Sequence, residues 1–196
     1  MSNVYTPYNI CQGPADVYWA VFGSTEPADS AVTSAPNSSV WTGVGGTEDG
    51  QPVLFEEDLT YSDQTIDQVP IAVGGRLTKR TAQITFAMEE TTLDNLLLAI
   101  NQLGTVNVQS GYTTFDPAIT SSATQPTYTA LIIDGWGPTL STGAAARRRI
   151  IARKCLTSSK VALAYQKDKP ATFAVTWNLY YVSASIPDHH VVEQNA

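Results

Sequence analysis

The sequence predicts a mainly β (α+β) domain, an antiparallel β-sandwich or barrel with one flanking α-helix. Three observations predict it. Thr, Ser, Val, Tyr and Gly are abundant while charged residues make up 15% of the 196 residues, a composition that favours strands and turns over helices. Alternating apolar and polar runs recur, each bounded by Gly, Pro or Asp, which is the pattern of half-buried strands. One stretch alone, 91–104, carries apolar residues at convincing helical spacing. The length suits a single core, and no composition break asks for a second. Residues 1–196 are therefore read as one domain with an N-terminal arm (about 1–15), long loops (about 24–39 and 59–75) and a C-terminal tail (about 183–196).

Near the N-terminus, Val17, Trp19 and Val21 alternate with Tyr18, Ala20 and Phe22 in a first strand that stops at Gly23. The run from Ser24 to Ser39 has little to bury and reads as a surface loop. The turn residues of Trp41 to Gly46 and Glu48 to Pro52 predict a tight hairpin leading into Val53, Leu54 and Phe55. Leu59 to Val73 reads as a long strand or extended arm, with Gly74-Gly75 as its turn. Ala82, Ile84, Phe86 and Met88 then alternate with Gln83, Thr85, Ala87 and Glu89 in a half-buried strand.

The helix comes next. Thr91 or Thr92 caps it, Asp94 suits its first turn and Gly104 its end. Leu93, Leu96, Leu97, Ile100 and Leu103 form one stripe, expected to pack on Ile84 and Phe86. Thr105 to Pro126 predicts turns around a short strand at Val106–Val108. Three strands close the domain: Tyr128 to Ile133, stopped by Asp134 to Pro138; Ile150 to Leu156, after Arg147-Arg148-Arg149; and Phe173 to Tyr181. A shorter one is expected from Val161 to Tyr165, and Asp188 to Ala196 reads as a tail.

Charge and motifs narrow the function. A net charge of -7 argues against a protein that grips nucleic acid, because such binding is driven by basic surface displacing counterions. The charge is also segregated. No Lys or Arg precedes Arg76, while ten acidic residues do; the remainder carries 11 basic and 8 acidic groups, a net +3. Such a chain folds its acidic part onto its basic part or docks it on another copy.

The only histidines, His189 and His190, lie in the predicted tail, which is poorly suited to orient a catalytic base or hold a metal. The glycines of 43–50 match neither phosphate-binding fingerprint and are read as turn-makers. Glu56-Glu57 and Glu89-Glu90 are neighbours whose side chains diverge along a strand, unlike a glycosidase couple. Cys11 and Cys155 lack a CxxC or His partner and are expected to be free buried thiols. Without a secretory signal or a long apolar run, synthesis and folding in a cytoplasm are expected. The basic cluster Arg147, Arg148, Arg149, Arg153 and Lys154 is expected to meet carboxylates within the chain or across a subunit boundary.

From Trp41 to Gly104 the order of signals resembles the major tail proteins, or tail tube proteins, of long-tailed bacteriophages. The matching features are a Gly-rich turn, Asp49-Gly50 before an acidic strand (Val53 to Asp58), an extended segment (Tyr61 to Pro70), a basic turn (Arg76 to Arg80), Ile84-Thr85-Phe86 with Glu89, and Thr92 to Leu96 opening a helix. The resemblance covers about a third of the chain. It implies a siphovirus-type virion protein without enzymatic activity, cofactor or bound metal. Six copies would form a ring whose inner strands join into one barrel, and rings would stack through loops and arms into a hollow tail tube that carries DNA to the host.

The resemblance also implies partners: further copies of the chain and other tail proteins (tape measure, tail tip and terminator), with DNA passing transiently and no membrane insertion. Assembly would take place in the host bacterial cytoplasm, and the final location would be the virion tail. Four strands from each of six copies, spaced and tilted as in ordinary barrels, give a backbone diameter of about 48 Å, wide enough for a duplex of roughly 20 Å. Glu56, Glu57, Asp58, Asp63 and Asp67 would then face the lumen or meet Arg147, Arg148, Arg149 and Arg153 at subunit boundaries. The alternative reading is a β-sandwich virion decoration or adhesin-type binding module, which shares the composition but forms no tube.

Overall fold

The computed structural model describes residues 10–119, 121, 123–140, 143–158 and 160–195. Most of the expected N-terminal arm and the last residue of the tail therefore lie outside the described residues. The strands are β1 (Asp16–Val21), β2 (Thr42–Gly43), β3 (Leu54–Ile66), β4 (Val69–Met88), β5 (Gly104–Gln109), β6 (Tyr112–Pro117), β7 (Thr129–Thr139), β8 (Ala145–Thr157), β9 (Phe173–Leu179) and β10 (His189–Glu193), with one helix, α1 (Leu93–Ala99). The expected class holds: the chain is mainly β, its pairings are antiparallel, and a single α-helix flanks the strands.

The main sheet runs β2-β1-β7-β8-β9-β4-β3, with β10 added to β8, and β5-β6 form a separate hairpin. In a flat sheet β1 and β4 would stand about 19 Å apart, four strand spacings. Yet Val17 of β1 and Ile84 and Phe86 of β4 belong to one buried cluster with Leu131, Ala152 and Trp177. The sheet must curl so that its two halves face each other across a shared core. Each large side chain fully buried there contributes about 1.5–3 kcal/mol.

β7 is buried on both faces. Leu131 and Ile133 enter the main core, whereas Ala130 and Ile132 point the other way into a second cluster with Ala20, Trp41 and Ile151. The segment 24–39 was expected to be a surface loop with little to bury; instead it brings Val32 and the following Trp41 into buried positions. The Trp41 indole N–H donates to the Thr25 carbonyl at 3.0 Å.

Several element expectations are corrected. The residues of 41–52 do not close a hairpin, because β2 pairs with β1 at one end of the sheet and β3 with β4 at the other. Gly74 and Gly75 lie within β4 opposite Gln64 and Asp63, and the turn falls at Asp67-Gln68. The segment 59–75 is thus the outer part of a paired ribbon rather than a loop. β7 continues through Asp134 to Pro138, because Asp134 finds Arg149 directly opposite on β8. No strand forms over 161–165. The expected tail instead supplies β10, whose residues 189–193 pair with 152–148 of β8. Cys155 is buried but Cys11 is exposed, and both are free.

The helix stripe is corrected too. Thr92 caps α1, its side chain accepting from the Asn95 N–H at 3.2 Å, but the helix ends at Ala99 rather than near Gly104. Asn101 and Gln102 adopt left-handed φ of 58° and 57°. Their N–H groups return to the Leu98 and Leu97 carbonyls at 3.1 and 2.8 Å, a Schellman ending. The buried face is Asn95, Leu98 and Ala99; Leu96 packs against the core, while Leu93, Leu97 and Ile100 are half-buried.

Apolar residues run unbroken from 96 to 100, so the helix offers two apolar stripes, and polar tethers select between them. The Asn95 amide donates to the Val44 and Glu90 carbonyls at 2.8 and 2.7 Å, and Asn101 exchanges hydrogen bonds with the Thr157 backbone. Gly104 opens β5 instead, where a Cβ would stand 2.5 Å from the Phe115 ring.

Candidate assembly surface

Strand pairing satisfies backbone groups, but side chains need a second layer to leave water. Past the core, the β3–β4 ribbon has no such layer. Every residue from Glu56 to Arg80 is exposed. Among them are Leu59, Tyr61, Ile66, Val69, Ile71, Val73 and Leu77, with Tyr61 at 58% and Ile71 at 73%. Monomeric proteins rarely leave so many large apolar side chains together in water, and such a surface marks an interaction site. The β5–β6 hairpin repeats the theme with exposed Val108 and Tyr112.

Register sorts the acidic residues. Glu56 lies opposite Gln83, and Gln83 opposite Asn178; Leu54 lies opposite Thr85, and Thr85 opposite Thr176. These residues share the outward face of β3, β4 and β9, knit by Gln83 to Asn178 at 2.9 Å and Thr85 to Thr176 at 3.2 Å. Glu56 and Asp58 project from this face, and a shallow groove runs between them and Thr81 and Gln83. Glu57 points to the opposite side with Phe55, where it accepts from Arg80. That hydrogen bond raises the Arg80 pKa and holds the guanidinium in its charged form. Asp63 lies opposite Gly75 in the outer ribbon, and Asp67 occupies its turn.

The basic cluster finds its partners within the chain. Arg149 is 1% exposed and donates to Asp134 at 2.7 Å and to the Ser34 carbonyl at 2.6 Å, pinning the 24–39 segment to the sheet. Arg153 grips Glu26 with two hydrogen bonds, at 2.6 and 2.9 Å. Arg148 pairs with Glu193 of β10, and the Arg147 guanidinium stacks 4.5 Å above the Trp136 ring. Arg149 as a boundary residue is therefore corrected: its burial leaves nothing for a second copy to reach. Among the described residues none of the five candidate acids pairs with these arginines.

The histidines are not in a loose tail. His189 in β10 lies beside Asp188 at 3.2 Å with its ring 4.9 Å from that of Phe55, and His190 faces Asp29 at 3.2 Å. They thus project to different partners, as neighbours on a strand do. Among the described residues no group of three His, Cys, Asp or Glu is placed to hold a metal ion, and no helix is long and apolar enough to cross a membrane. Desolvation pushes the Cys155 thiol pKa far up, so it stays protonated.

Sequence reasoning named the acids but missed the apolar ribbon side chains as a surface. Their signal was present: seven large apolar residues in a segment without clean alternation belong to a strand that the chain itself does not cover. Comparison with protein-family models and with curated proteins gives no match.

Proposed function

We propose that the chain is a structural, non-enzymatic self-assembling subunit of a phage tail tube, six copies forming a ring and rings stacking into a hollow conduit for DNA. The observation that carries this reading is the bare ribbon. Glu56 to Arg80 forms a paired β ribbon, with register shifts after Thr60 and after Gln64, in which every residue is exposed. An isolated two-stranded ribbon is marginal by itself, so a second surface must cover it to repay its apolar exposure. A neighbouring ring is the cover proposed here, with the ribbon reaching across the junction between rings.

The outward face of β3, β4 and β9 suits the lumen. Leu54, Glu56, Asp58, Thr81, Gln83, Thr85, Ala174, Thr176 and Asn178 make this stretch polar with two carboxylates, and the next ladder pair, Thr60 and Lys79, brings its first cation. The carboxylates repel phosphate, and with few cations on the face a passing duplex meets little charge that would hold it. Partners in this reading are further copies, the other tail proteins and transient DNA.

Negative-stain microscopy of the concentrated protein tests the assignment. Rings or tubes with an axial hole are expected. A protein that stays monomeric or trimeric at every concentration would instead favour the decoration or adhesin-type module.

A further inference from the structure

Closing a ring through strands requires two complementary edges on one leaf, and the chain carries a matching pair. The leaf is β3-β4-β9, and β3 is an edge strand whose outer side pairs with nothing among the described residues. On the other side of the leaf, among the described residues, β9 pairs with β8 through Trp177, Asn178 and Leu179, flanked by bonds from the Ser158 N–H to the Thr176 carbonyl at 3.1 Å and from the Tyr180 N–H to the Lys154 carbonyl at 2.8 Å. Beyond that point the chain runs on past β9. Lys160, Ala162 and Ala164 line a groove together with Thr172 and Ala174, which sets this stretch beside the start of β9, and no strand pairing joins the two among the described residues. Residues 160–170 make no backbone–backbone hydrogen bond among the described residues.

Both edges are unfinished in complementary ways. The segment Val161-Ala162-Leu163-Ala164-Tyr165 alternates small and large residues as a strand does. Val161 packs on the core, but Leu163 is exposed and Tyr165 is 85% exposed. Lys160, Lys167 and Lys169 are exposed and form no ion pair among the described residues. β3 offers Leu54 and Leu59 as exposed apolar side chains, with Glu56 and Asp58 free of ion pairs among the described residues.

Direction agrees as well. β3 is antiparallel to β4 and β4 to β9, so β3 runs with β9. The chain leaving β8 runs against β9 and hence against β3. Rotation about a ring axis preserves strand sense, so the 160–166 segment of one copy meets β3 of the next in antiparallel orientation, the more favourable pairing.

We infer that residues 160–166 become a fourth strand of the leaf on assembly and pair with the free edge of β3 in a neighbouring copy. Lys160 then faces Glu56 or Asp58, and Leu163 and Tyr165 lie against Leu59 of the neighbour. This rests on the tube-subunit reading and deepens it by naming the two edges that join. It also removes the exposed edge strand that would otherwise invite indiscriminate pairing.

Two chains in a Cys11→Ser background test the pairing, one with Ala162→Cys and the other with Leu54→Cys or Glu56→Cys, the residues opposite Ala162 when Lys160 faces Glu56 or Asp58 respectively. They are mixed, concentrated and mildly oxidised. A disulfide-linked dimer is expected from the mixture under assembling conditions, because only paired strands bring the Cα atoms within about 7 Å. In a second arm, Lys160→Glu with Lys169→Glu is expected to raise the assembly concentration by at least about tenfold by placing like charges opposite each other. Adding Glu56→Lys and Asp58→Lys to the same chain is expected to restore it.

Wild-type rings accompanied by no cross-link at either position, or by charge reversals without effect, would overturn the edge pairing and leave the tube reading standing. Wild-type protein that forms no ring at any concentration would overturn both.

Discussion

The β7–β8 and β3–β4 ladders are built from the same antiparallel pairing but have opposite fates. Every residue of β7 from Thr129 to Asp134 is buried, because a core lies on one face and the 24–41 segment on the other. No residue from Glu56 to Arg80 is buried, although twelve register pairs join β3 to β4. Hydrogen-bonded backbone is common to both; the second layer is not. The first ladder is where this fold is stabilised, and the second is where its unused apolar surface lies.

Substitutions can break that contrast, and the largest effect is expected in the buried ladder's core. Trp177 on β9 is fully buried and packs with Ile84 and Leu131 in the main cluster. Trp177→Ala should cost about 3–5 kcal/mol, measured by chemical unfolding of the unassembled subunit. A loss under about 1 kcal/mol would show that the two sheet halves are not held together there.

The buried ion pair comes next. Asp134 and Arg149 are 2% and 1% exposed, so removing the carboxylate strands a guanidinium in the interior. Asp134→Ala should cost about 3 kcal/mol or more, whereas replacing both residues by apolar ones should recover much of that loss. A double replacement no better than the single would mean that the contacts of Arg149 with the Ala31 and Ser34 carbonyls matter more than the pair.

A smaller, discriminating effect is expected in the helix. Leu98→Ala should cost about 2–5 kcal/mol, and Leu97→Ala, at a half-buried position, clearly less. The reverse order in thermal melts would restore the stripe expected from periodicity alone.

That stripe shows what the sequence made legible and what it hid. Alternation at Ala82 to Met88 and Phe173 to Leu179 identified strands because each has one dry and one wet face. The helix was visible, but its orientation was not, since Leu96 to Ile100 offers two apolar stripes and the choice falls to Asn95 and Asn101 through partners at Val44 and Thr157, about 50 residues or more away. The turn at Asp67-Gln68 escaped because Gly74-Gly75 is the stronger local turn signal, and pairing with Gln64 and Asp63 overrode it. β10 escaped because His189 to Glu193 looks polar; its place is set by Glu193 meeting Arg148 and by a free side of β8. Acids and arginines of the candidate surface were named from charge alone, yet their sorting into Glu56 outward and Glu57 inward needed the register.

The ribbon should give the smallest effect on stability and a large one on assembly. Tyr61, Ile71 and Val73 are exposed and touch neither buried cluster. Replacing Tyr61 and Ile71 by Ser removes apolar surface that is already in water, so the subunit's unfolding free energy should change by no more than about 0.5 kcal/mol. If a neighbouring ring covers those side chains, the same variant forfeits their burial at every ring junction, at about 1.5–3 kcal/mol for each large side chain. Repeated along a tube, that loss should leave isolated rings or subunits in electron micrographs at concentrations where the wild-type protein forms tubes. Melting unchanged with tubes lost is the expected pair of results. A lowered Tm would mean that the ribbon folds back on its own subunit, and normal tubes would place the ring junction elsewhere, with the β5–β6 hairpin and its exposed Val108 and Tyr112 the next surface to remove.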